Sequence, residues 1–503
     1  MRTKLTLHRL IALAIQLAVV LACRAALAEE PRQGDAEVMQ RIERIAHGLR
    51  TAVIVDGDAP MNLSDRMNAL HVPGVSIAVM HGAAVEWARG FGTTAIGGPP
   101  VGAETLFQAA SISKPVTAVA ALALVPAGKL NLDADVNLAL KSWKIPESPL
   151  STESKVTLRR LLSHSAGISV SGFAGYQAGK PVPSLIEVLN GAPPANSAPV
   201  RIEHEPGKQF QYSGGGYTIV EQLLMDVTGR PFPSLLEDTV LAPFGMTHSK
   251  FEQPLSADRL QMAATPYQPD GAPVPGGPHV YPELAAAGLW TTPTDLAHFA
   301  LAVVNALAGR DNAVLPQPMA AEMLSPVLGS AAGLPPGLGT YGLGWLVRGA
   351  APHRQFWHNG GNAGFFSTMA IFENGDGAVV MTNGDGGQVL VDEILRGLAV
   401  EYRWPDRQPR IRKLAAVNPQ ALDRLVGTYQ LTPEFAIRIT RDGDRLFSQA
   451  TGQARFEVFP ENDRDFFFKV VDAVLSFDAD GPAAAAQLIL HQNGRDLIAK
   501  RVQ

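Results

Sequence analysis

Cysteine is almost missing from this sequence: 503 residues contain one, Cys23. A single thiol closes no disulfide within the chain and cannot build a multi-cysteine metal site. Cys23 falls within the first 28 residues, so removal of that segment leaves no thiol and excludes a cysteine nucleophile. Basic clusters are lacking too. Only 18% of residues are charged, the net charge is -5, and no Lys/Arg run stands out, which argues against a nucleic-acid partner. There is no H-E-x-x-H zinc pair and no G-x-S-x-G nucleophile elbow, and nothing in the residues implies a metal or cofactor. No repeat of fixed period occurs.

What is present describes a large folded chain with a segment suited to export. Hydrophobic residues make up 46% of the chain, enough at this length for more than one core, and 48 glycines with 38 prolines suit a turn-rich fold. Arg2, Lys4 and Arg9 open the chain, an apolar run covers residues 10–22, and Ala26-Leu27-Ala28 has small residues at a cleavage spacing. Residues 1–28 therefore read as a signal peptide, which implies export to the periplasm or beyond. The apolar run is short for a bilayer span and no comparable stretch follows, so no stable transmembrane span is expected after cleavage. A competing reading makes Cys23 a lipid-attachment site, because Val20-Leu21-Ala22-Cys23 loosely resembles a lipoprotein signal.

Periodicity organises the remainder. Residues 35–50 read as a charged lead-in helix, and 73–80 with 84–90 as a hairpin around His81-Gly82. Residues 113–125, almost wholly apolar, predict a buried helix, and 158–162, 217–227 and 295–307 predict further helices, the last capped by Thr294. Strand patterns return at 341–347, 365–373 and 378–382, with Asn374-Gly375-Asp376-Gly377 as a turn. A sheet drawn from both chain ends with helices from the middle is an α/β arrangement. Residues 405–420, rich in proline and basic side chains, predict a linker. From 421 to 503 short alternating segments (436–440, 445–449, 456–459, 466–471, 474–477, 487–491 and 497–502) predict a small all-β barrel or sandwich.

Three short stretches carry chemistry. A serine hydroxyl needs a base within hydrogen-bond reach, and in Ser111-Ile112-Ser113-Lys114 a helical turn would bring the lysine amine beside Ser111. Burial against an apolar helix should lower the lysine pKa. Alone, S-x-x-K arises by chance in a chain of this length and reads equally as a capping serine with a surface lysine. Tyr212, before Gly214-Gly215-Gly216, could present a phenol as base or proton shuttle, or pack as a core residue. In His358-Asn359-Gly360-Gly361-Asn362, glycines precede an apolar strand, and the amides of Ser111 and Gly361 could form an oxyanion hole. His358 alone reads as a structural or surface histidine.

In this order the three stretches resemble the serine β-lactamase and penicillin-binding-protein superfamily: S-x-x-K, a Y-x-N variant, and a K/H-x-G strand. Pro73-Gly74-Val75, Leu161-Leu162-Ser163-His164-Ser165-Ala166-Gly167 and Gly288-Leu289-Trp290-Thr291-Thr292-Pro293 look like segments of its class C-like branch. The resemblance covers residues 36–404. It implies a β-lactamase/transpeptidase-like fold, an antiparallel sheet flanked by helices with a mostly helical subdomain, followed by a β-rich accessory domain. It further implies Ser111 as acylated nucleophile, Lys114 as its base, Tyr212 as the partner in proton transfer, and His358 where lysine often stands. The implied partner is a small-molecule or peptide substrate; oligomeric state is open. Gly214 stands where β-lactamases of this branch usually carry asparagine, removing an amide from the substrate-binding side. With His358 replacing lysine, a permanent charge for a substrate carboxylate is also lost. The expectation is an exported serine hydrolase forming an acyl-enzyme with an ester, amide or D-amino-acid peptide. D-alanyl carboxypeptidase or weak β-lactamase activity is the alternative within enzymes, and a catalytically silent wall- or partner-binding protein the alternative outside them.

Overall fold

The computed structural model describes residues 33–310, 314–328, 334, 337–478 and 483–502. The expected signal peptide, residues 1–28 with Cys23, lies outside the described residues. Helix α1 (Gln33–Ala46), expected over 35–50, belongs to a compact unit that ends at Ile45, and along it Arg41 pairs with Glu37 one turn away at 3.3 Å. Residues 46–503 form the second unit. Among the described residues no helix is long and apolar enough to cross a membrane.

The main sheet has seven strands: β1 (Gly74–His81), β2 (Ala84–Gly92), β3 (Thr340–Tyr341), β4 (Leu346–Arg348), β5 (Gln355–Asn362), β6 (Phe365–Phe372) and β7 (Gly377–Thr382). Their order is β2-β1-β7-β6-β5-β4-β3, antiparallel throughout, so both chain ends do meet in one sheet, where β1 pairs with β7 from Val75↔Thr382 to Met80↔Gly377. β1 and β7 are covered on both faces, which is why they read as continuous apolar runs rather than alternating ones. The single strand expected at 341–347 is instead two short strands folded on each other, Tyr341 opposite Leu346. Gly342 and Gly344 turn the chain there. Gly344 has φ +88, and a Cβ on it would come within 2.9 Å of the Ala118 methyl.

Helices pack around this sheet: α2 (Ser113–Ala123), α3 (Leu158–Leu162), α4 (Gly214–Thr228), α5 (Leu284–Ala287), α6 (Pro293–Leu307) and α7 (Gly387–Glu401). α2 is buried from Ser113 to Leu122, as its composition demands. The cap of α6 is Thr292, whose Oγ1 accepts from the Asp295 amide at 3.2 Å, and not Thr294. Pro293 occupies the first helical position, where its missing N–H is harmless, and the cap lies two residues earlier than expected.

The tail is a closed antiparallel barrel of eight strands, which decides between barrel and sandwich: β8 (Gly427–Thr432), β9 (Phe435–Asp442), β10 (Arg445–Ala450), β11 (Arg455–Pro460), β12 (Asp465–Phe468), β13 (Ala473–Phe477), β14 (Gln487–Gln492) and β15 (Arg495–Arg501). β8 escaped the alternation pattern, yet it closes the barrel by pairing with β15 at Tyr429↔Arg501. Residues 405–420, expected as a linker, carry the strand Arg410–Arg412, which pairs in parallel with Val53–Val55. Val53 and Val55 in turn pack on Phe467 of the barrel, and Lys469 pairs with Asp58 at 2.7 Å.

Candidate active site

Ala110, with φ 48, turns the chain sharply into a 3₁₀ turn, Ala110–Ile112, that runs directly into α2. Ser111 lies on this turn and not within the α-helix. Side chains three residues apart eclipse in 3₁₀ geometry. Lys114 Nζ accordingly lies 2.9 Å from Ser111 Oγ. The amine also donates to the Ala286 carbonyl of α5 at 2.8 Å. Lys114 is buried, and desolvation lowers its pKa to about 7, so a neutral amine is available near neutral pH.

Tyr212 enters from the loop before α4, a helix capped by Ser213, whose Oγ accepts from the Gly216 amide at 2.8 Å. Burial pushes the Tyr212 pKa up to about 12, an effect the nearby Ser111 hydroxyl only partly offsets. Lys114 Nζ lies 5.1 Å from the centre of the Tyr212 ring. Ser111, Lys114 and Tyr212 thus share one place.

The other three expected residues are disposed differently. β4 pairs with β5 only as far as Trp357, so from His358 onward that edge of β5 has no strand partner among the described residues and packs against the Ser111 turn. Gly360 makes the closest approach there, whereas a Cβ on Gly361 next to it would meet only the Phe366 ring, at 3.8 Å. His358 is buried in the wall behind Tyr212: its Nδ1 lies 2.6 Å from the Asn359 carbonyl and its Nε2 3.0 Å from the Tyr341 hydroxyl. A carbonyl only accepts, so Nδ1 carries the proton and Nε2 accepts from Tyr341. Desolvation, then the nearby Lys114 amine, lowers the His358 pKa to about 3. It is a neutral ring with both nitrogens engaged. Gly214 is the first residue of α4, and its amide donates to the Ser171 carbonyl at 3.2 Å, leaving no donor for a substrate oxygen.

Sequence reasoning singled out neither His164 nor Tyr341 as site residues. His164 is buried at φ 56, accepts the Ser213 amide on Nδ1 at 3.1 Å, and lies against the Tyr212 ring with centroids 4.2 Å apart. It ties the loop after α3 to the loop that carries Tyr212. The only sequence signal was its place in Leu-Leu-Ser-His-Ser-Ala-Gly, a stretch used for resemblance but carrying no chemistry on its own.

Two buried acids support α5. Glu221 accepts the Ala285 amide at 2.8 Å, and its pKa is held well above the usual range by burial. Glu283 is fully buried, neither of its oxygens has a hydrogen-bond partner among the described residues, and burial raises its pKa to about 7. A raised carboxyl pKa means the folded state binds the proton more tightly than the unfolded chain. Stability conferred below pH 4.5 is then lost as pH climbs through about 7, a loss of about 3 kcal/mol. Glu283→Gln, which cannot ionise, is expected to gain about 2–3 kcal/mol over the natural protein at pH 8 and little at pH 4.5. Urea unfolding of both proteins at the two pH values checks this; equal stabilities at pH 8 would refute it.

A half-buried serine and tyrosine around a buried lysine, between an antiparallel sheet and a helical subdomain, define a serine hydrolase of the penicillin-recognising kind. The chain belongs to the β-lactamase family, whose model matches residues 61–401, and residues 412–500 match a domain of unknown function, DUF3471. It is 25% identical over 426 residues to penicillin-binding protein 4* of Bacillus subtilis (strain 168), covering 80% of this chain and 89% of that one. Its fold is similar to that of the octameric penicillin-binding protein homologue from Pyrococcus abyssi, with TM-score 0.60 and 21% identity over 87% of this chain and 98% of that one. The D-amino acid amidase of Ochrobactrum anthropi SV3 shares the fold with TM-score 0.53 and 21% identity, over 72% and 99% of the two chains.

Proposed function

We propose that this protein is an exported acyl-enzyme hydrolase of uncharged-end esters and amides, with Ser111 as nucleophile. The observation that carries the reading is the desolvated Lys114 amine 2.9 Å from Ser111 Oγ. In its neutral form Lys114 keeps one N–H on the Ala286 carbonyl and offers its lone pair to the serine proton. Ser111 Oγ attacks the substrate carbonyl as its proton passes to Lys114, and the amides of Ser111 and Gly361 receive the negative oxygen. Tyr212, protonated at working pH, gives a proton to the leaving group and is reprotonated from the Lys114 ammonium. Water attacks the acyl carbonyl as Lys114 takes its proton, and collapse of the adduct breaks the bond to Ser111 Oγ, which takes that proton back from the Lys114 ammonium as the carboxylic acid leaves.

The substrate class follows from charge. Neutral His358, both nitrogens engaged, offers no anchor to a substrate carboxylate, whereas β-lactams and D-alanyl peptides both present one. Esters and the D-amino acid amides hydrolysed by the Ochrobactrum enzyme are free of that need.

A fluorophosphonate probe followed by peptide mapping is expected to label Ser111 alone; labelling at another serine, or none in folded protein, would remove the assignment. Side-by-side assays should show turnover of p-nitrophenyl esters and D-amino acid amides well above that of nitrocefin. Export is tested by N-terminal sequencing of protein from the periplasm, which should begin at Glu29.

A further inference from the structure

The barrel interior is packed by Tyr429, Leu446, Leu475, Phe477 and Leu488. Between the barrel and helix α7 lies a cavity of about 500 Å³, in the size range of small-molecule sites, about 300–1,000 Å³. Its wall on the barrel side is apolar, built from Phe435, Ile437, Ala450, Phe456, Phe468 and Leu490. Val389 of α7 and Val470 also line it, and both are exposed large hydrophobic side chains, marking an apolar rim.

Ser448 and Arg396 are polar groups of this lining that make no side-chain hydrogen bond among the described residues. Ser448 is 4% exposed and projects inward from β10 between Leu446 and Ala450, and its hydroxyl makes no hydrogen bond among the described residues. Arg396 lines the mouth from α7. The cations around it are already matched: Arg66 holds Glu393 through two 2.8 Å bonds, and Arg407 holds Asp392 at 3.0 Å. Arg396 itself makes no hydrogen bond or ion pair among the described residues, and burial draws its pKa down from the usual value. The Asp392 and Glu393 carboxylates favour its charge from nearby but are hydrogen-bonded to Arg407 and Arg66, so this half-buried guanidinium keeps its own donors for an anion attached to an apolar body.

We propose that this cavity is a binding site for a single-chain fatty carboxylate, its hydrocarbon chain along the barrel wall and its carboxylate on Arg396. Ser448 offers a second polar contact partway along the chain. The site is separate from Ser111 and does not depend on the activity proposed there.

The test is calorimetric titration of the full mature chain with sodium decanoate and with decanol, using the natural protein, Arg396→Gln and Ala450→Trp. Decanoate is expected to bind the natural protein one to one. Arg396→Gln should weaken decanoate by about tenfold or more while leaving decanol unchanged, because only the charged contact is lost. Ala450→Trp should abolish both. All three proteins should hydrolyse p-nitrophenyl acetate at the same rate, which shows that the variants are folded. Absence of saturable decanoate binding to the natural protein overturns the proposal, as does decanoate affinity unchanged by Arg396→Gln, since the latter puts the ligand elsewhere, including at Ser111. The comparison of decanoate with decanol on the natural protein needs no variant to fold.

Discussion

Lys114→Met is expected to lower kcat/KM for an activated ester by about 10⁴-fold and, at the same time, to make the protein more stable at pH 7. Both effects come from one cause. Burial drops the lysine pKa from 10.5 to about 7, so the fold disfavours the ammonium by about 5 kcal/mol relative to the amine. That penalty makes the amine a base at neutral pH. The unfolded chain binds the proton up to pH 10.5 and the folded one only up to about pH 7, so stability of the natural protein rises with pH across this window. Methionine carries no such penalty, fits a buried site, and costs about 1–3 kcal/mol for leaving the Ala286 carbonyl without its donor. A net gain of about 2 kcal/mol at pH 7 follows, turning into a deficit of about 1–3 kcal/mol above pH 10.5, where the lysine is neutral in both states and only the orphaned carbonyl remains. Denaturant melts at pH 7 and 10.5 read the stability. The natural enzyme's kcat/KM should climb to a plateau with an apparent pKa near 7. A flat profile through neutrality, or a methionine variant keeping about a tenth of the activity, would move the base elsewhere.

The parts of this molecule legible from sequence are those whose physics is local or periodic. β1 and α2 announce themselves because each is apolar over its length, and the nucleophile and its base because three residues separate them on any tight helical turn. Pairing partners in space leave weaker traces. β8 closes the barrel, yet Gly427-Thr428-Tyr429-Gln430-Leu431-Thr432 has only one fully buried side chain, so its alternation is faint. His164 illustrates the same limit at the site: its importance lies in touching Tyr212, 48 residues onward, and in accepting the Ser213 amide, neither of which has a local signature. His358 lies on β5, a strand that the residue pattern did not predict and only the K/H-x-G resemblance suggested, and its charge state was beyond reach. That state is decided by burial and by Tyr341, whose hydroxyl comes from the hairpin that the strand pattern at 341–347 had merged into one element.

Two adjacent glycines on β5 should respond in opposite ways to the same added methyl. A Cβ built on Gly360 would come 2.0 Å from the Ala109 carbonyl oxygen and 3.3 Å from the Ala110 methyl. Both partners belong to the turn that aims Ser111, and the nearer one is backbone, which cannot rotate aside as a side chain would. The strand is also fixed at its far end, where Asn362 Nδ2 donates to Gln108 at 2.8 Å and to the Ala287 carbonyl at 3.2 Å. Gly360→Ala must therefore separate β5 from the Ser111 turn or tear that clamp, and in either case the Gly361 amide moves away from the nucleophile. Loss of one oxyanion donor alone costs about 10²–10³ in kcat, and displacement of the turn adds to it, so a fall of about 10³-fold is expected with a stability loss of about 2–4 kcal/mol. Gly361 meets only the edge of the Phe366 ring at 3.8 Å, an ordinary contact. Gly361→Ala keeps its amide and its strand, and should retain activity on p-nitrophenyl acetate to within about threefold. Steady-state kinetics on the two variants, paired with thermal melts, decide the matter: near-equal activities would mean that the edge of β5 does not line the reacting carbonyl, whereas divergence at Gly360 with tolerance at Gly361 ties the oxyanion site to the contact between strand and turn.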